Sequence, residues 1–209
     1  MAAEGATARG QRRLPVQERS RETVRRILDA AAVIIDEDGV DAATTRSIAD
    51  RAGVAYPSLY RFFKDRDQIL DSLIERHLTQ LDGLAAEIEP TWTITSAADL
   101  ISAEFDLHVD YYRRHPNAAR IWMGGRTSPF VAAKVHARIH RVADQVHARL
   151  LDHGLIPAGT DPRALLVVAE ITDRVFELAY RDEREFDETM LALGRTAVLG
   201  CLDRLTSEA

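Results

Sequence analysis

Between residues 44 and 66 the chain sets out hydroxyls, phenols and cations at short intervals: Thr44, Thr45 and Arg46, then Tyr56, Pro57, Ser58, Tyr60 and Arg61, then Lys64 and Arg66. Tyr56 with Tyr60 and Pro57 with Arg61 are i, i+4 pairs, so each pair shares one face of a helix. Hydroxyls both donate and accept hydrogen bonds, and a guanidinium forks onto phosphate oxygens or a guanine edge. Such a face suits the backbone and base edges of a nucleic acid. It does not suit bond-making chemistry, because the chain carries no nucleophile motif, phosphate loop or carboxylate–histidine repeat on two helices.

Two other groups of side chains could bind something. Phe105, His108, Tyr112, Trp122, Met123, Phe130, Ile139, Asp173, Phe176 and Glu177 combine bulky apolar surface with a few polar groups, the make-up of a pocket for an apolar or aromatic small molecule. Tyr111 and Tyr180 belong with them by type. Trp122 and Phe130 flank Gly124-Gly125 and Pro129, a joint that could couple occupancy to movement. His136, His140 and His147 fall within about 40° of one another on a helix of 3.6 residues per turn, and an i, i+4 pair can share a zinc ion. No Cys or carboxylate joins them at ligand spacing. The favoured reading is therefore a flank of solvated or pocket-lining histidines with no metal or cofactor, and the alternative is a small helical metal-binding protein or enzyme built on that face.

The elements that must position these residues are all helices. Val24, Ile27, Leu28, Ala31, Ile34 and Ile35 form a helical stripe that stops at Gly39. Thr44 is placed to cap a second helix with Ile48, Ala49 and Ala52 on its inner face. Gly53 breaks that helix where a left-handed residue costs little, and a third runs from Tyr56 to Phe63 with Pro57 in its first turn. A long stripe begins at Asp65 and ends before Pro90. Further helices are expected near 96–114, 117–123, 129–153, 162–182 and 187–206. The second and third helices, joined by a tight turn, have the spacing of a helix-turn-helix that presents its second helix to the major groove.

The run from Thr44 to Leu70 resembles the DNA-binding segment of TetR-family transcriptional regulators. Gly39 followed by Thr44, then Ile48-Ala49, Ala52-Gly53-Val54, Leu59-Tyr60, Phe63 and a basic residue before Ile69-Leu70 sit at that family's spacing. The resemblance implies that Thr45 and Arg46 reach DNA from the first helix of the motif, Arg46 to a base edge. It puts Tyr56, Pro57 and Ser58 at the start of the recognition helix, Tyr60 on a phosphate, and Arg66 where the family has a phosphate-binding Lys. Two positions depart from the pattern. Ala55 stands where a capping Ser is usual, removing a cap worth about 1 kcal/mol, and Phe62 stands where His or Tyr is frequent. Arg61 and Lys64 are candidates to compensate.

Composition agrees once it is divided. The net charge of −6 argues against a nucleic-acid partner as an average, yet residues 1–66 carry 12 basic against 10 acidic side chains and residues 67–209 carry 15 against 23. Arg9, Arg12 and Arg13 head a basic arm that could lie on the DNA backbone or in the minor groove, or could be a solvated tail. The expected organisation is an arm (1–14), a three-helix DNA-binding domain (15–66) and a helical ligand-binding and dimerisation domain (67–209). Residues 162–206 mix small and apolar residues, and the resemblance assigns them to a homodimer interface. The resemblance also implies a palindromic double-stranded operator and a small-molecule effector. One Cys, no apolar run near 20 residues and no apolar signal segment at the N-terminus suggest a cytoplasmic protein with no membrane partner.

Overall fold

The structure, a computed structural model, describes residues 16–124, 128–180 and 185–207. The arm with Arg9, Arg12 and Arg13, Gly125 and the side chain of Phe130 lie outside the described residues. The fold is all-α: α1 (Val16–Asp38), α2 (Thr45–Ala52), α3 (Tyr56–Leu59), α4 (Arg66–Ile88), α5 (Ala97–Arg114), α6 (Pro116–Met123), α7 (Pro129–Asp152), α8 (Pro162–Ala179) and α9 (Glu188–Ser207). Short polar side chains start the helices, Thr44 among them as expected. Thr44 and Ser47 cap each other's backbone N–H in a capping box, and Asp65, Ser96, Ser128 and Asp161 each accept from the first turn of the helix that follows.

Regular α3 is one turn long, ending at Leu59 instead of running to Phe63. Turn hydrogen bonds from Phe62 N and Phe63 N to Leu59 O carry the chain onward. Ala55 offers no side-chain cap at its start, and past Phe63 the Lys64 N–H donates to Gln68 Oε1 as the chain turns into α4.

Among the described residues two hydrophobic cores form. The first gathers Ile27, Ile34 and Ile35 of α1, Ile48 of α2, Leu59, Phe63, and Ile69, Leu70, Leu73 and Ile74 of α4, and it also takes in Ile121, Val131 and Val135 from α6 and α7. The second is built from Leu81, Phe105, Tyr111, Tyr112, Val146, Leu165, Phe176, Val198 and their neighbours on α4, α5 and α7–α9. Each fully buried Leu, Ile or Phe contributes roughly 1.5–3 kcal/mol. The two cores meet inside α4, between Ile74 and Leu81, well past the change of charge at residue 66.

The α8–α9 pair splits its small residues between two tasks. Gly194 lies against α8 so closely that a Cβ there would sit 2.1 Å from Val175 Cγ1, whereas a Cβ on Gly200 would meet nothing within 4 Å. The open side of the pair carries Leu193, 61% exposed, and Val167, 46% exposed. Gly194→Ala should therefore lower stability by about 1–3 kcal/mol through overpacking. Gly83→Ala, at an exposed α4 site with no neighbour within 4 Å, should raise it by up to about 1 kcal/mol. Urea unfolding of the two variants checks both signs.

Candidate nucleic-acid interface and internal pocket

The helix-turn-helix is held by contacts that follow from its sequence. Gly53 adopts φ 61° and ψ 39°, the left-handed cap expected of it. Arg26 of α1 donates from Nη2 to the carbonyls of Ala52 and Gly53, closing the end of α2. A side chain at Gly53 would press on that guanidinium, 3.0 Å from its Cβ. Arg51 pairs with Glu37 at 2.6 Å, a second tie between α2 and α1. Two of the arginines counted with the basic front thus have local tasks, Arg26 here and Arg25 with Glu22 at 2.7 Å.

Outside this frame, three hydroxyls converge on the surface. Tyr56 and Tyr60 meet edge to face with centroids 5.2 Å apart and oxygens 2.9 Å apart, and Thr45 Oγ1 lies 3.4 Å from each phenol. Both rings are nearly half exposed. Hydrogen bonds from Thr45 and Tyr60, and then the charge of Arg46, hold the Tyr56 phenol below its ordinary pKa. Arg46, Pro57, Arg61 and Lys64 are exposed around the cluster, with Ser58 partly covered. The face offers donors to phosphate and a cation to a base edge. Thr44 sits at its margin with its side chain committed to the α2 cap.

Arg66 departs from expectation. Its Nε donates to Ala43 O at 2.8 Å and its Nη2 to Val40 O at 2.6 Å, with Asp41 at 4.0 Å. The guanidinium braces the 3-10 turn between α1 and α2 from both ends, giving Ala43 O a donor and adding a second one to Val40 O, which already accepts from the Ala43 N–H. Phe62 packs against the first core in place of a polar contact.

The pocket lies between α5, α7 and α8, with Trp122 of α6 also in its wall. Phe105, His108, Tyr112, Trp122, Ile139, Asp173 and Phe176 line it as the sequence suggests, together with Glu104, Arg138, Val142, Val168 and Thr172. Met123 and Glu177 do not line it. Met123 packs on the core beside the pocket, and Glu177 is turned to an outer groove, where it pairs with Arg174. Tyr111 faces α4 instead of the pocket. His147 turns to Thr160 O at 3.0 Å, leaving His136 and His140 as a separate pair.

Polar groups in the pocket wall form a chain. His108 Nδ1 donates to Glu104 O at 2.7 Å, so Nε2 is the acceptor facing Arg138 Nη1 at 3.3 Å. Arg138 in turn donates from Nε to Asp82 of α4 at 2.7 Å, and Arg141 shares that carboxylate at 2.6 Å. Burial, with the charge of Arg138, takes His108 down to about 4. Burial, reinforced by Glu89, pushes Glu104 up to about 7. Burial, with Glu177 and Glu170, pushes Asp173 up to about 6. The wall is thus less charged at neutral pH than its residue types suggest.

A second buried cluster, which sequence reasoning missed, lies where the two cores meet. His77 is 5% exposed. Its Nε2–H donates to Asn117 Oδ1 at 2.6 Å and its Nδ1 accepts from Tyr111 OH at 2.8 Å. Asn117 Nδ2 donates to Asp36 of α1 at 2.8 Å. Burial takes His77 down to about 4, so it stays neutral. Nearby, Arg120 of α6 donates to the last carbonyls of α1, Arg76 pairs with Asp29 at 2.6 Å, and Ser128 donates to Asp71 at 2.7 Å. The helices around the pocket are therefore bolted to those behind the exposed face.

Residues 27–73 match the sequence profile of the family described as bacterial regulatory proteins, tetR family. Over 66 residues the chain is 40% identical to the HTH-type transcriptional repressor KstR of Mycobacterium tuberculosis, covering 32% of this chain and 30% of that protein. The chain thus spans about a third of the length of such curated relatives. Across nearly the whole fold it is similar to a TetR-family transcriptional regulator from Streptomyces coelicolor, with TM-score 0.64, 29% identity and coverage of 88% and 99% of the two chains. The fold is also shared with the transcriptional regulator FadR from Bacillus subtilis in complex with stearoyl-CoA, with TM-score 0.63, 21% identity and coverage of 88% and 98%.

Glu104 gives this site a pH signature. The folded chain holds its proton up to about 7, against 4.5 ordinarily, so the folded state binds more protons than the unfolded one between those values. The stability it contributes is full below that window and is lost as pH rises through it. Glu104→Gln should therefore gain stability relative to the parent as pH rises from about 5 to about 8, with no such trend below about 4. Urea unfolding across that range measures the difference.

Proposed function

The chain belongs to the TetR family of bacterial regulatory proteins, and from this we propose that it is a homodimeric transcriptional repressor, released from a palindromic operator by a small, mainly apolar ligand. The observation that carries the DNA-binding part is the exposed Thr45–Tyr56–Tyr60 cluster beside Arg46, presented by a helix-turn-helix whose scaffold is fixed from α1. In this reading Arg46 reads a base edge. Tyr56, Pro57 and Ser58 enter the groove, and Tyr60, Arg61 and Lys64 hold phosphates. Arg66 serves the scaffold.

One such head buries little DNA, so affinity comes from pairing two heads about 34 Å apart, one turn of duplex. The α8–α9 pair is the proposed interface. Val167, Leu193, Ala197 and Gly200 lie on or toward its open side, and small residues let helices approach closely. The effector occupies the pocket of Phe105, Tyr112, Trp122, Ile139 and Phe176, with its polar end at His108 and Arg138. Displacing Arg138 loosens Asp82 on α4, and α4 carries the shift through His77 to the heads.

Fluorescence anisotropy with DNA from upstream of the chain's own coding region, and with a scrambled duplex, tests the reading. Arg46→Ala should cost about 1–3 kcal/mol on the specific duplex and little on the scrambled one. Tyr60→Phe should weaken both alike. Equal losses on both duplexes for both variants would contradict the division of roles, and no binding at low salt would reject the DNA-binding reading. Leu193→Arg should sediment as a monomer and lose tight operator binding, while a dimer that persists would move the interface elsewhere.

A further inference from the structure

The histidine pair of α7 has a third partner that its own helix could not supply. His136 Nε2 and His140 Nε2 lie 3.0 Å apart, with ring centroids separated by 4.4 Å. On the neighbouring helix α8, Glu170 Oε1 stands 3.2 Å from His136 Nδ1. One candidate ligand atom from each of the three residues can be chosen so that all lie within 4.8 Å of one another. Around zinc, bonds of 2.0–2.1 Å put tetrahedral ligand atoms roughly 3.4 Å apart, so the set closes when the His136 ring turns to bring one nitrogen toward both His140 Nε2 and Glu170.

We propose that His136, His140 and Glu170 form a binding site for a divalent cation of the zinc class that staples α7 to α8. Two imidazoles with one carboxylate suit zinc and its borderline neighbours rather than magnesium or calcium, which favour all-oxygen shells. His136 is exposed, so water can reach a fourth position. Two further carboxylates, Asp173 and Glu177, share the groove with His136 and Glu170. The crowding of Glu170, Asp173 and Glu177 along one side of α8 adds to burial in pushing Asp173 up to about 6, and a cation in the groove would relieve that repulsion. Trp122, Ile139 and Asp173 line both this groove and the internal pocket. A cation held here therefore sits one side-chain layer from the pocket. This site does not depend on the DNA-binding reading.

Isothermal titration of the untagged, chelator-treated full chain with zinc chloride tests the site. We expect one saturable event per protomer in the micromolar range, with a change in Trp122 emission. His140→Ala should abolish it, and Glu170→Gln should weaken it by roughly 10–100-fold. His147→Gln should leave it unchanged. Circular dichroism and melting of each variant establish that it is folded, and these positions are far enough exposed for substitutions to leave the cores intact. No saturable uptake by the parent would overturn the proposal, as would uptake that survives both His140→Ala and Glu170→Gln.

Discussion

The side-chain amide of Asn117 holds two helices at once: it donates to Asp36 at the end of α1 and accepts from His77 in the middle of α4. Its Nδ2 and Oδ1 can satisfy both only if His77 presents its Nε2–H; with the ring kept neutral by burial, that fixes the tautomer and leaves Nδ1 to accept from Tyr111. Two hydrophobic cores meet at this point, and neither could bury a charged imidazole cheaply. The placement of the DNA-binding helices on the remainder of the molecule depends on that set of hydrogen bonds, because α4 contributes apolar residues to both cores and His77 lies between its two contributions.

A parallel logic runs through the pocket. His108, Glu104 and Asp173 are ionisable side chains in a largely apolar wall, and burial moves each of them toward its neutral form. Arg138 keeps its charge and is paired outward with Asp82. The result is a largely apolar lining, as the proposed apolar ligand would require, that retains a polar line of contact to α4. In the proposed mechanism that line and the Asn117 junction are successive segments of one path from pocket to DNA face.

How much was legible in the sequence follows from how local each signal is. The capping role of Thr44, the left-handed Gly53, and the buried Ile48, Leu59 and Phe63 are set by neighbours within a few positions, and the structure has them as expected. Pocket aromatics on α5 and α8 followed from residue type and helical spacing. The rest depended on partners brought together across the chain. His77 meets Asn117 forty positions later and Arg138 meets Asp82 from the far side of α5, so no periodicity could reveal them. Arg66 looked like a phosphate ligand because its position matched a pattern, and only the backbone carbonyls of Val40 and Ala43 show it turned inward. Sequence spacing gives the histidine flank no Cys or carboxylate partner, because Glu170 arrives from the next helix.

Val175 seated over Gly194 acts as a detent between α8 and α9. To slide or roll along one another, the two helices would have to lift a branched side chain out of a notch that has no spare depth, so the pair behaves as a fixed anvil. In the proposed mechanism, displacement produced inside the molecule would therefore fall on the helices on the other side of the pocket. The body is stiff where two copies are proposed to join, and compliance is left to the side that leads toward DNA.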